Sequence, residues 1–165
     1  MDAESRMTSS GQVRIGDRES TTIRRLLIAV FVFGVVGTGA ELILLEHTDD
    51  IWQWTPIILL GVSVPLAGSL WFISAKWLMR SFQCIMVLFV VNGALGLYQH
   101  YQGNLEFELE MYPSISGFEL VWEALKGATP SLAPGTMVLL GMLGLIYTFR
   151  HPTVTDTHLV QTSGG

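Results

Sequence analysis

Apolar residues along this chain gather into four runs, at about residues 26–45, 54–75, 81–98 and 133–149, with polar segments between them. Each run holds about 17–22 residues, close to the roughly 20 that a helix needs to cross about 30 Å of hydrocarbon. The pattern predicts an all-α membrane protein, a four-transmembrane-helix bundle over residues 23–150 flanked by tails at 1–22 and 151–165. Both tails are rich in Ser, Thr, Gly and charge, the composition of disordered segments. Aromatic rings mark the ends of the runs, as amphipathic side chains do at headgroup depth. Trp52 and Trp54 open the second run, Trp71 and Trp77 close it, Tyr98 and Tyr101 end the third, and Tyr147 ends the fourth. Pro56 suits a first helical turn, whereas Pro65 removes a mid-helix hydrogen bond and predicts a kink.

Small residues recur at helical spacing inside the runs: Gly34, Gly37 and Thr38 in the first, Gly61, Pro65, Gly68 and Ser69 in the second, Gly93 and Gly96 in the third, Gly135, Gly141 and Gly144 in the fourth. Such faces let helix backbones approach closely in lipid, where the hydrophobic effect drives no association. They predict a compact bundle.

Segment 99–132 is too long for a connector, since bundle loops usually run about 2–8 residues, and is expected to form an outer cap. Leu105-Glu106-Phe107-Glu108-Leu109-Glu110-Met111 alternates strictly, the period of an extended strand. Ser116-Gly117-Phe118-Glu119 matches a capping box, with Ile115 and Leu120 as its hydrophobic staple. Phe118, Val121, Trp122 and Leu125 follow at helical spacing and Gly127 offers a stop. That describes a short amphipathic helix lying in the membrane interface.

Charge orients the threading. With four crossings, the two tails and the 76–80 connection share one side, which holds Arg6, Arg14, Arg18, Arg24, Arg25, Lys76, Arg80 and Arg150, eight of the nine basic residues. With five acids there, that side carries a net +3; the other sets Lys126 against eight acids, a net −7. Basic flanks stay cytoplasmic, so both termini are expected inside, in a bacterial inner (plasma) membrane, with the acidic loops outside. Half of the 165 residues are hydrophobic and 14% are charged, against roughly 25% in soluble domains. The first run exceeds the 7–15 residues of a signal-peptide core and no small-x-small site follows it, so an uncleaved span is expected. No face gathers Lys and Arg with aromatics, so nucleic acid is not an expected partner. Cys84 is the only cysteine, which excludes an intramolecular disulfide or a CxxC redox pair; it is expected to be a small packing residue.

The residues that carry candidate chemistry collect near the outer ends. Glu41 and Asn92 fall inside the first and third runs at similar depth, and intramembrane ionisable groups usually face a bundle interior. They form either a hydrogen-bonded clasp between helices or the core of a proton or cation site. Above them, His47 and Asp50 lie in one outer loop and His100, Asn104 and Glu106 in the next. Imidazole with carboxylate is a common ligand set for divalent metals, so His47 and His100 are candidate ligands, although no HxxxH or HExxH spacing is present. His151 and His158 read as ordinary interface residues. No nucleophile elbow, phosphate loop or dinucleotide fingerprint occurs. The leading expectation is a non-enzymatic accessory subunit or self-associating scaffold, partnered with itself or another membrane protein. The alternative is a protein that binds or translocates a cation or proton around Glu41, His47 and His100.

Overall fold

The computed structural model describes residues 3–127, 132–149 and 151, with side chains from residue 19 onward. Five α-helices follow in order: α1 (Ala3–Leu44), α2 (Ile51–Phe72), α3 (Lys76–Met111), α4 (Gly117–Lys126) and α5 (Leu132–Thr148). No strand occurs among the described residues. Three stretches are long and apolar enough to cross a membrane: Glu19–Leu44 of α1, α2 and α3. α5 is apolar but shorter, at 17 residues.

Two expectations are corrected by helix where irregular or extended chain was read. α1 is already helical from Ala3, so most of the 1–22 segment is helix rather than disordered tail. Extending a formed helix adds one bond per residue fixed and needs no new nucleus. Residues 105–111 belong to α3, not to a strand. A lone strand would leave its backbone N–H and C=O groups without a ladder, whereas Glu, Leu, Gln and Met are good helix formers continuing an existing helix. α3 is therefore 36 residues, about 54 Å at 1.5 Å per residue, and its second half rises well past the 81–98 run. It stops where Tyr112 precedes Pro113, a position where helical backbone is disfavoured.

The other helix ends are equally legible. Asp50 caps α2 through Oδ1, which accepts from the Gln53 N–H at 2.9 Å. α2 ends at Phe72, short of the expected residue 75, and residues 73–75 make a tight turn into α3. α1 closes with Glu46 in the left-handed region at φ 51°. There His47 N–H donates to Leu42 O at 3.0 Å and Glu46 N–H to Ile43 O at 3.1 Å, the paired bonds of a Schellman motif. Ser116 is the N-cap of α4 but its side chain makes no capping bond, so the capping box is present in sequence only. Gly127 ends α4 as its C-cap at φ −53°, without a left-handed turn. The remainder of the outer connection, 128–131, and the 152–165 part of the C-terminal tail lie outside the described residues.

Helices α1, α2, α3 and α5 enclose a core of Phe31, Met79, Phe82, Met86, Phe89, Met137, Leu140 and Tyr147. Phe82 stands edge-on to Phe31 at 5.5 Å and to Tyr147 at 6.0 Å between centroids, a favourable quadrupole arrangement. The largest interface joins α3 to α5. Gly141 and Gly144 on α5 face Met86 and Phe89, and Gly93 and Gly96 on α3 face Pro134, so small residues do bring these two helices together. Outward, the bundle stays oily: Phe33, Leu44 and Phe72 are each more than 80% exposed. Contiguous apolar surface on that scale is not sustained in water. Cys84 is exposed among these outward residues, not packed inside, because Phe82, Met86 and Phe89 define the inward face of α3.

Candidate functional site

The Schellman turn that ends α1, the capped start of α2, the middle of α3 and the first turn of α5 meet around one cavity of about 560 Å³. Glu41, His47, Asp50, Asn92 and His100 all line it. Five side chains from two separate stretches of sequence, 41–50 and 92–100, thus converge. Glu41 sits at the start of the last turn of α1; the left-handed Glu46 turns the chain at His47; Asp50 is fixed by capping α2. Asn92 and His100 are eight positions apart on α3, slightly over two helical turns, and so share a face. Leu42, Leu45, Leu95 and Met137 give the cavity an apolar wall, Pro134 adds its ring from the first turn of α5, and Pro56 adds its own from the second turn of α2, one turn deeper than expected because α2 starts at Ile51.

No hydrogen bond joins Glu41 to Asn92 among the described residues, so they face the same space without forming the clasp. Neither Asn104 nor Glu106 lines the cavity. Asn104 is buried and donates from Nδ2 to Ala124 O at 3.1 Å, against Gly127. It anchors α4 to α3 and is corrected from mouth ligand to structural pin. Glu106 is exposed on the far side of the helix. The physical reason is height and rotation along α3: Asn104 shares the face of His100 but lies one turn further out, where α4 covers it, whereas Glu106 is about 120° round the helix from His100.

His100 is half-buried, and burial first, then the neighbouring charge of His47, holds its imidazole below the usual range. A neutral His100 is therefore the form that faces the cavity at neutral pH. Among the described residues no group of three or more His, Cys, Asp or Glu is disposed to hold a metal ion. His47 and His100 thus stand as a pair of imidazoles, with no third donor completing a tetrahedral set.

Sequence reading missed Trp52, Gln53, Gln99 and Gly96 in the cavity wall. Trp52 and Gly96 carry signals in the sequence, but those signals fit an aromatic belt and a small-residue packing face as well as a cavity wall. A second cavity, at the opposite end of the helices, was not foreseen at all.

All-α architecture, three helices able to cross a membrane and an outward apolar surface define a helical membrane protein. No family model, curated protein or solved structure matches the chain.

Proposed function

We propose that this chain is a four-span, non-enzymatic membrane protein of the bacterial inner membrane that binds a cation in the cavity at its outer mouth. The observation that carries the reading is the convergence of Glu41, His47, Asp50, Asn92 and His100 on one space of about 560 Å³. That volume lies within the roughly 300–1,000 Å³ of small-molecule sites and is far larger than a bare ion requires. Two carboxylates, one indole ring and apolar walls suit an organic cation: the carboxylates supply charge, the ring face of Trp52 a cation–π contact, the walls desolvation. The surrounding outer charge of −7 raises the local concentration of cations.

In this reading α5 is the fourth crossing. Its 17 residues span about 26 Å, at the short edge of the transmembrane range. α4 lies flat in the outer interface: Phe118, Val121, Trp122 and Leu125 all point away from the protein, while Ala124 packs inward. Both termini are cytoplasmic, from the segregation of basic residues. Reporter fusions after Arg80 and after Lys126 are expected to read inside and outside; the reverse pattern removes the orientation. For the site, the test is binding of tetrabutylammonium to detergent-solubilised protein. Wild type binds it; Glu41→Gln keeps the side-chain shape but loses the charge and binds it at least tenfold more weakly. Equal binding by both proteins removes the reading, and stoichiometric metal in protein purified without chelator replaces it with a metal site.

A second reading rests on α2. Gly61, Pro65 and Gly68 are all exposed, and a methyl at Gly61 or Gly68 meets no atom within 4 Å. This small-residue face, unlike those of α3 and α5, is not used within the chain. It supports self-association, or docking of another membrane protein, through α2. Gly61→Leu is expected to convert an oligomer into a monomer in mild detergent; a wild-type monomer rules the reading out.

A further inference from the structure

At the end of the bundle opposite the cation cavity, a second cavity of about 450 Å³ opens between α1, α2 and the foot of α5. Its chemistry is the inverse of the first. Arg24 and Arg25 line it, with the hydroxyls of Ser20, Thr21 and Ser74 and the ring of His151; among the described residues no carboxylate does. Arg24 is held in place, since its guanidinium donates to Tyr147 O at 2.5 Å and to Phe149 O at 3.2 Å. Those are C-terminal carbonyls of α5, where a cation is favoured. The charge is thereby fixed at the cavity edge before any ligand arrives. Arg25 is exposed, its guanidinium carbon over the Trp71 ring at 5.8 Å from the ring centre, a cation–π contact. Ile28 and Leu70 supply an apolar flank beside these polar groups.

We infer that this cavity binds the phosphate of an anionic phospholipid, with the two arginines and the hydroxyls around the headgroup and the acyl chains outside the bundle, past the exposed Trp71 ring. Depth points to a lipid rather than a free anion: the cavity lies at the level of Trp71, where the apolar part of α2 ends and headgroups belong. Arginine clusters between spans are the kind of site that takes anionic headgroups. Burial first, then the charge of Arg24, holds His151 below the usual imidazole range; a phosphate beside it opposes both and draws it back up. The inference needs the helices to cross a bilayer, but not the cation reading or the orientation.

The experiment is native mass spectrometry and thermal unfolding of full-length protein in dodecylmaltoside, with added dioleoylphosphatidylglycerol, dioleoylphosphatidylcholine or inorganic phosphate. Wild type is expected to retain phosphatidylglycerol and to be stabilised by it over phosphatidylcholine. Arg25→Gln, at an exposed position, is expected to bind phosphatidylglycerol about fivefold more weakly, the effect of one juxtamembrane arginine near an anionic surface. Arg25→Lys restores part of the loss. Arg80→Gln removes an exposed arginine that does not line the cavity, and leaves binding unchanged. Equal effects of Arg25→Gln and Arg80→Gln, or no preference for phosphatidylglycerol, overturn the site. Full protection by millimolar inorganic phosphate overturns the lipid assignment in favour of the free anion. Protein that stays soluble without detergent would instead defeat the membrane reading itself.

Discussion

Adding one methyl group at Gly93 tests how α3 and α5 are joined. A Cβ there would lie 2.7 Å from the carbonyl oxygen of Pro134 and 2.9 Å from the backbone nitrogen of Val138. Both are main-chain atoms of α5, so no rotamer change relieves the clash and the helix itself must move back by about 0.6 Å to restore ordinary contact. A gap of 0.5–1 Å forfeits a quarter to a half of each contact's well depth, and here it opens the largest interface of the molecule. Overpacking of this kind costs about 1–3 kcal/mol. Alanine meanwhile gains up to about 1 kcal/mol over glycine in a helix interior. Gly37→Ala, on the exposed face of α1, receives the same gain with open space around it, so comparing the two variants cancels propensity and isolates the steric term. Gly93→Ala should therefore be less stable than Gly37→Ala by about 1–3 kcal/mol. Gly141→Ala should resemble Gly93→Ala, because its methyl meets the Met86 carbonyl oxygen at 2.8 Å. Gly144→Ala strikes side chains only, those of Met86 and Phe82, and should cost less because the methionine can shift. Reversible unfolding by SDS titration in dodecylmaltoside measures all four. Gly93→Ala and Gly141→Ala as stable as Gly37→Ala would refute the packing.

Glu46 holds a left-handed backbone at φ 51°, which costs a non-glycine residue about 1 kcal/mol or more; Glu46→Gly should stabilise by roughly 0.5–1 kcal/mol in the same titration, and a loss of stability would remove the strain. Asn104→Ala leaves Ala124 O with only the longer bond from the Gly127 N–H, a loss of about 0.5–1.5 kcal/mol, and should speed hydrogen exchange over residues 118–126 while leaving α1 unchanged. His100 has its imidazole lowered in the folded state, so the stability it contributes is present above the unfolded value near 6.5 and is lost as pH falls toward the folded value. Thermal unfolding between pH 8 and 5 should therefore show an acid-side decline that is shallower in His100→Gln; Glu41, His47 and Asp50 face the same cavity and stay in place as common background. An identical slope in both proteins would rule out His100 as a contributor.

Much of this protein was decided by residue order alone. Apolar run length is a local quantity, and it located the membrane-capable helices before any packing was known. Asp50 as a helix start, Pro113 as a stop, and the outward-facing Phe118–Leu125 pattern of α4 are equally local, since each depends on backbone groups within a turn of the residue concerned. Strand against helix at 105–111 was not local: both periods fit the seven residues, and the absence of a partner strand, together with the helix already running below, settled it. The convergence of Glu41, His47, Asp50, Asn92 and His100 was anticipated only as proximity to one end, because depth along a helix follows from residue count. Which of the outer polar residues turn toward a common space depends on helix rotation, which is fixed by contacts between α3, α5 and α1. That rotation admitted His100 to the cavity, while Asn104, on the same face one turn further out, meets α4 instead. The arginine cavity lay entirely beyond sequence reading. Arg24 and Arg25 come from the middle of α1, Trp71 and Ser74 from the end of α2, and His151 from beyond the end of α5, and only the packing of those helices makes them neighbours.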